Sequence, residues 1–219
     1  MKLSLIQKPI HFLLLLSGIC CLMLGWRLIS SNSLQYSFMA WNLFLAWVPL
    51  LIMLFIQNYE PVYVNKYVVI AVGLAFWLLF LPNAPYIITD LMHLRYRKSY
   101  TLWYDCLMVF SFASVGMYTG LYSMLLAHKL VNRLFGPSFG WALILGSLGL
   151  SGFGIYLGRF SRWNSWDLFV QPHHLFIDIL RQAFNPAALK LSVAFALVMV
   201  LFYFVFLSFI QLAKHESAS

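Results

Sequence analysis

Two short segments hold every aspartate of the chain and half of its histidines. They are residues 82–105 and 159–181, and such side chains can do acid–base or metal chemistry. In the first segment, Asp90 and His93 are three residues apart, so they share a face if the segment is helical. A carboxylate beside an imidazole can orient the ring, raise its basicity or share a metal ion with it. We therefore predict Asp90, His93 and Asp105 as candidate catalytic residues.

The same side chains have ordinary structural interpretations. Thr89 or Asp90 can cap a short helix while His93 lies among lipid headgroups. Asp105 can stand at the N-terminus of the following helix, where a negative charge is favourable. The sequence leaves both interpretations open.

Polar and basic side chains near these acids are suited to binding an anionic substrate, because guanidinium groups donate paired hydrogen bonds to carboxylates and phosphates. The substrate-binding candidates are Asn83, Arg95, Arg159, Arg162, Asn164 and Asp167. Imidazole nitrogens and carboxylate oxygens also suit zinc or manganese. His93, His174 and Asp178 are therefore the candidate metal ligands, and no particular cofactor is indicated.

A helix break is predicted at the start of the first segment, since Pro82 and Pro85 bracket Asn83 at the end of an apolar run. Residues before proline are pushed from helical toward extended dihedrals. A plain kink that ends the run is one interpretation. The other is an unwound stretch that lines a cavity, as transporters use to bind solutes.

The elements that position these residues are predicted to be membrane-spanning helices. Across 219 residues, 63% are hydrophobic and only 9% are charged. This is too little charge to cover a water-exposed surface, since soluble domains are about one quarter charged. We predict an all-α integral membrane protein that forms a single membrane domain over residues 1–219.

Six apolar runs approach the roughly 20 residues that cross a bilayer core. They are Ile10–Trp26, Tyr36–Ile56, Tyr67–Ile88, Cys106–Ala127, Gly140–Gly158 and Leu191–Ala213. The first is expected to be a retained span, because no small-x-small cleavage site ends it. The first run is short and the third contains prolines, so five or seven spans are the alternatives.

Residues Pro172–Phe184 predict an amphipathic helix that lies in the membrane interface before the last span. Its polar face holds His174, Asp178 and Arg181, and its other face is apolar. Two runs separate the two polar segments, which places both segments on one side of the membrane. We therefore expect them to build one polar site there.

The net charge of +8 reflects few acids more than many bases, since 14 Lys and Arg face six Asp and Glu. The bases lie singly or in small groups between apolar runs, which argues against nucleic-acid binding and favours contact with anionic lipid. Small residues at Gly116 and Gly120, and at Gly146, Gly149 and Gly152, predict close helix packing, within the chain or in an oligomer.

Both polar segments carry strings that resemble a known family. These strings are LPNAPYIITDL at 81–91, WYD at 103–105 and GIYLGRFSRWNSWD at 154–167. In these motifs the chain is similar to domain of unknown function (DUF) family 1361, over roughly residues 40–210. The resemblance implies a multi-pass protein of the bacterial inner membrane. It implies no activity, cofactor or catalytic residue.

Three kinds of function fit these features. The polar site can bind or process a lipid or other amphiphile at the membrane face. Alternatively, the break at Pro82–Pro85 lines the path of a small-solute or proton-coupled transporter, or the glycine-rich helices make the chain a membrane scaffold. The candidate residues lie at the ends of the runs, which favours an interfacial site. No nucleophile or phosphate-loop motif is present.

Overall fold

The computed structural model describes residues 2–58, 65–96 and 99–216, and no strand occurs in these ranges. Side chains are described within 9–58, 65–94 and 102–213. In this part of the chain, six helical stretches are long and apolar enough to cross a membrane: Pro9–Ser31, Phe38–Asn58, Lys66–Leu94, Leu102–Phe135, Pro137–Ser161 and Pro186–Ala213. The prediction of an all-α membrane protein with six spans is therefore confirmed.

The chain folds as two compact units, of which unit 1 extends to Tyr122 and unit 2 starts at Ser123. Unit 1 contains α1 (Lys2–Ser31), α2 (Phe38–Asn58), α3 (Lys66–Phe80), α4 (Asn83–Tyr86), a 3-10 segment (Ile87–Tyr96) and the first part of α5 (Ser99–Phe135). Unit 2 contains the rest of α5, α6 (Pro137–Tyr156), a π turn (Leu157–Ser161), α7 (Asp167–Val170), α8 (Pro172–Ala183) and α9 (Pro186–Glu216). The single membrane domain over residues 1–219 stays a prediction.

Helix α5 is longer than predicted, because it runs unbroken for 37 residues through Lys129 and Arg133. Both bases lie beyond the predicted run Cys106–Ala127. At 1.5 Å per residue the helix is about 55 Å long, well beyond the roughly 30 Å of a bilayer core. Its apolar window is 78% buried, against 11% for that of α9. Helix α5 is therefore a core element, whereas α9 is largely exposed.

The third span is interrupted where its prolines predict a break. Helix α3 ends at Phe80, and a turn at Leu81 and Pro82 leads into α4. The expected extended backbone is wrong, since Leu81 stays helical at φ −54° and ψ −39° and Pro82 at φ −57° and ψ −27°. The chain therefore changes from an α-helix to shorter helical turns, without becoming extended.

Close helix packing is confirmed at three of the predicted glycines. In unit 1, a methyl group at Gly116 would lie 2.6 Å from the carbonyl oxygen of Ala84, and one at Gly120 would lie 2.9 Å from the Ala84 side chain. In unit 2, a methyl group at Gly152 would lie 2.3 Å from the carbonyl oxygen of Ser192 on α9. Small residues let α4 approach α5, and α6 approach α9, as in other membrane bundles.

Two other glycines of α6 have no such contact. A methyl group at Gly146 or Gly149 would meet no heavy atom within 4 Å. The predicted packing of these two positions within the chain is therefore wrong for the residues that the structure describes. A helix-mediated oligomer stays a prediction.

Candidate functional site

Asn83 stabilises the helix break in the third span. Its side-chain amide donates to the carbonyl oxygen of Phe80 at 3.0 Å. The prolines remove backbone donors from the helical ladder at this point, and carbonyl groups in an apolar setting need other partners. This predicted substrate-binding residue therefore has a visible structural role at the break.

Asp90 and His93 meet on the 3-10 segment, which confirms that they share a face. The His93 Nδ1 atom is 3.2 Å from the Asp90 carbonyl oxygen and 3.7 Å from its carboxylate oxygen Oδ1. Residues three apart eclipse in a 3-10 helix, which explains this proximity. A carbonyl acceptor selects the ring form with a proton on Nδ1. The imidazole is thus oriented by the Asp90 carbonyl oxygen, and the Asp90 carboxylate lies beside the ring.

The Asp90 carboxylate is held from a second helix. It is only 1% exposed, and its oxygen Oδ2 accepts a hydrogen bond from Asn42 of α2 at 2.8 Å. The His93 side chain is 43% exposed and packs against the Phe38 ring, with 5.0 Å between centroids. Sequence reasoning missed Asn42, because an isolated amide in an apolar run gives no sign of its partner.

Asp105 is fully buried and forms an ion pair with Arg27 of α1. The two guanidinium donors are Arg27 Nε, to Oδ1, and Nη2, to Oδ2 at 3.1 Å. The Tyr36 hydroxyl also donates to Oδ2, at 3.2 Å. The placement of Asp105 at a helix N-terminus is wrong, since α5 begins at Ser99 and its first turn contains no acid. The carboxylate instead links α1 to α5.

Arg27 is the main residue that sequence reasoning missed in unit 1. It follows the predicted run Ile10–Trp26, but α1 continues to Ser31 and leaves Arg27 only 8% exposed. The available signal was the shortness of the run Ile10–Trp26, which needed further residues to cross a bilayer. The side chain of Arg95, a predicted substrate contact, lies outside the described residues.

In unit 2, the predicted substrate-binding residues lie where α6 ends. The helix closes in a π turn, and Arg162 then adopts left-handed dihedrals of φ 61° and ψ 30°. The next amide, of Trp163, donates back to the carbonyl oxygen of Leu157 at 3.2 Å. Both π turns and left-handed non-glycine residues are uncommon and occur often at functional sites. The turn carries Arg162 on an exposed bend.

Asn164 and Asp167 bind each other. The Asp167 oxygen Oδ2 accepts from the Asn164 backbone amide at 2.7 Å and from its side-chain amide at 3.3 Å. In return, the Asp167 amide donates to the carbonyl oxygen of Asn164 at 3.0 Å. This reciprocal pattern resembles a capping box and orders the turn that starts α7.

The helix predicted before the last span is present as α8, from Pro172 to Ala183, and its place in the membrane interface stays a prediction. Its inner face packs beneath the end of α6, with Leu175 buried and Ile179 against Tyr156 and Leu157. The Asp178 carboxylate accepts from the Trp163 indole at 2.8 Å. Helix α8 is therefore attached to the turn that follows α6.

The charge of Asp178 is stabilised by its neighbours. Burial of the carboxylate raises its pKa. Hydrogen bonds from Trp163, Ser161 and Gln182 lower the pKa. The nearby charge of Arg181 lowers it too, so that the net pKa lies below the ordinary 3.8. Asp178 is thus an ionised anchor of α8 near neutral pH.

A second set of contacts joins α6, α8 and α9. The Tyr156 hydroxyl donates to the Gln182 side-chain oxygen at 3.2 Å. Asn185 donates to that oxygen at 2.7 Å and to the Tyr156 hydroxyl at 3.2 Å. The end of α6, helix α8 and the start of α9 are therefore held together by side-chain polar contacts.

The predicted metal ligands are divided between the two units. No group of three or more His, Cys, Asp or Glu side chains in the described part of the chain could hold a metal ion. His93 lies in unit 1, and His174 and Asp178 lie in unit 2. The meeting of the two polar segments in one site, and metal ligation there, stay predictions.

The fold and its polar span ends define the chain as a multi-pass helical membrane protein. More particularly, residues 41–209 match the family described as "Protein of unknown function (DUF1361)", and the chain belongs to that family. No curated protein and no solved structure matches the chain. The resemblance of the motifs is therefore confirmed, and the family description assigns no activity.

Proposed function

We propose that the chain is a multi-pass protein of a bacterial inner membrane that binds an anionic lipid or similar amphiphile at the membrane surface. The binding groups are Arg159 and Arg162 at the end of α6. The adjoining apolar side chains of α7 and α8 lie among the acyl chains. This function uses the part of the chain in which exposed basic and exposed apolar groups occur side by side.

One observation carries this proposal, namely the set of exposed apolar side chains between residues 160 and 184, the segment that contains Arg162. It comprises Phe160, Phe169, Val170, Phe176, Leu180 and Phe184, which are between 50% and 84% exposed. Such a concentration of exposed apolar side chains marks an interaction surface. On an amphipathic helix next to a membrane span, the expected environment is the boundary between headgroups and acyl chains.

The charged side chains between residues 159 and 184 favour the binding of an anionic ligand. Its two acids already accept internal hydrogen bonds, Asp167 from Asn164 and Asp178 from Trp163. Arg162 is exposed on its left-handed bend. An arginine at this position can donate paired hydrogen bonds to a phosphate or carboxylate at the membrane surface.

The test is a lipid titration of the purified full-length protein, with native mass spectrometry to count bound lipids. Phosphatidylglycerol provides an anionic headgroup and phosphatidylcholine a zwitterionic one. A basic residue near an anionic surface contributes about 1 kcal/mol, so Arg162→Gln should weaken phosphatidylglycerol binding about fivefold, and Arg159→Gln/Arg162→Gln further. Binding of phosphatidylcholine should change little.

Arg133→Gln is the matched control, since Arg133 is an exposed arginine near the end of α5. It removes the same charge from a position outside the proposed site. An equal loss of phosphatidylglycerol binding in Arg133→Gln would show a general charge effect and contradict the proposed site. Unchanged binding in the double variant would do the same.

The contact between Asp90 and His93 supports a second candidate function, in which the protein processes an amphiphile by acid–base chemistry. An imidazole whose Nδ1–H is held by a carbonyl oxygen, with a buried carboxylate beside the ring, is an arrangement that suits a general base. Vesicles of mixed bacterial phospholipids, incubated with the protein, should yield a new lipid product by mass spectrometry. His93→Gln should abolish that product, and His11→Gln should not. Lipids that stay unchanged with the parent protein would count against this function.

A further inference from the structure

An apolar groove runs between α2 and α3 of unit 1, and neither proposed function uses it. Its volume is about 540 Å³, which is within the usual range of ligand sites. Phe55 of α2 is 61% exposed and Val72 of α3 is 51% exposed, so the groove is open along one side. All its lining residues are apolar, among them Leu51, Ile52 and Phe55 of α2 and Val69, Val72 and Phe76 of α3.

The groove has the depth of one membrane leaflet. It follows α3 from Val68 to Phe76, which is about 12 Å along the helix axis at 1.5 Å per residue. Half of a bilayer core is roughly 15 Å. Helix α3 begins at Lys66, which is also the first residue of the span Lys66–Leu94. The groove therefore extends inward from one end of this span over the length of an acyl chain in a single leaflet.

A base lies at the outer end of the groove. Lys66 is exposed, and it is the one charged residue in the described stretches 38–58 and 65–80. Val69 and Gly73 follow Lys66 by three and seven residues, which places all three on the face of α3 that borders the groove. A lysine at the end of a span extends its ammonium group toward the headgroups, where it attracts negative charge.

We propose that this groove holds one acyl chain of an anionic phospholipid whose headgroup is bound by Lys66. A polar ligand does not suit the groove itself, because its apolar lining offers no hydrogen-bond partner and an unpaired polar group is costly to bury. The charge of Lys66 selects an anionic headgroup over a zwitterionic one. The site uses other residues than Arg159 and Arg162, so it does not rest on the function proposed for them.

The test is photo-crosslinking of the full-length protein in nanodiscs, with phosphatidylglycerol that carries a diazirine in one acyl chain. Mass spectrometry of the peptides locates the labelled residues. We expect labels concentrated on residues 51–55 and 68–76. Lys66→Gln should lower this labelling about fivefold and leave the labelling by the matching phosphatidylcholine unchanged. Lys190→Gln, which removes an exposed lysine near the start of α9, is the control and should have no effect.

A second variant blocks the groove without touching the charge. Val72→Phe places a larger side chain in the groove and should abolish the labelling there. Val72 is chosen over Gly73, because a methyl group at Gly73 would already lie 2.5 Å from Ile56 Cδ1 and disturb the packing of α2 on α3. The control is Val205→Phe, which adds the same bulk at a valine of α9 that is 53% exposed, and which should leave the labelling unchanged.

Several results would overturn the proposal. Labels spread evenly over the exposed faces of all spans would show only the surrounding bilayer, and equal labelling of the groove by the two lipids would remove the role of Lys66. An unlabelled groove in a protein that native mass spectrometry finds to be dimeric would indicate a second copy as the occupant. Arg159→Gln/Arg162→Gln should not change the labelling of the groove, so the two proposals are tested separately.

Discussion

At the residue scale, the ion pair between Arg27 and Asp105 is the main polar link between α1 and α5 in unit 1. The carboxylate accepts two donors from the guanidinium and one from Tyr36. Taking two charges out of water is costly, so such a pair adds little net stability compared with apolar residues. Replacing only one of the two residues is different, because the charge of the other is then left buried without its partner.

We predict that Asp105→Asn lowers the free energy of unfolding by about 3–5 kcal/mol, because the Arg27 charge loses its counter-ion. The double variant Arg27→Met/Asp105→Leu should recover most of that loss. Thermal unfolding in detergent, followed by circular dichroism, measures both. A midpoint in Asp105→Asn equal to that of the parent would show that the pair has no role in stability.

Asp178 makes the attachment of α8 depend on pH. Since its pKa is lower in the folded protein, its contribution to stability is complete above the ordinary carboxyl value of 3.8 and is lost as the pH falls through the lower folded value. We predict faster hydrogen exchange in α8 as the pH falls below about 4, after correction for intrinsic rates. In Asp178→Asn this acid dependence should be absent. Equal profiles for the variant and the parent would contradict the prediction.

At the element scale, the sequence predicted where helices occur better than where they end. Apolar composition located all six spans, because a helix that crosses the lipid bilayer must carry mostly apolar side chains. Charged residues were a poorer guide to the ends. Arg27, Lys129 and Arg133 all lie inside helices. A long helix can carry bases beyond the bilayer core, and a buried base can be paired with an acid that is distant in sequence.

Helices α6 and α9 allow a matched test of close packing. We predict that Gly152→Ala lowers the free energy of unfolding by about 1–3 kcal/mol, because the new methyl group meets the Ser192 backbone, which cannot rotate away. Gly149→Ala adds the same methyl group to the same helix, in open space. This control should be neutral or stabilising, since alanine is the better helix former. Thermal unfolding of the two variants tests this prediction. Equal midpoints for Gly152→Ala and Gly149→Ala would contradict the close contact at Gly152.

At the scale of the whole molecule, the sequence identified where polar chemistry collects but not which side chains meet. The contact of Asp90 with His93 could be predicted, because it depends on local helical spacing. The partners of Asp105 and Asp90, namely Arg27 and Asn42, are 78 and 48 residues away, and only tertiary packing brings them close. Spacing rules act within one helix, whereas these pairs join different helices.

Six spans require the chain to change sides of the membrane at each crossing, which gives a test of the whole architecture. Asn65 and Met92 lie at opposite ends of the span Lys66–Leu94, and both are exposed. Single cysteines at these positions, in a background with the three native cysteines replaced by alanine, should react with an impermeant maleimide from opposite sides of sealed vesicles. Ser138, at one end of the span Pro137–Ser161, and Gln171, ten residues beyond its other end, should behave likewise. Detergent-permeabilised vesicles, in which all four positions should react, are the control. If both members of a pair react from the same side, the stretch between them does not cross the bilayer, and the six-span fold is wrong at that point.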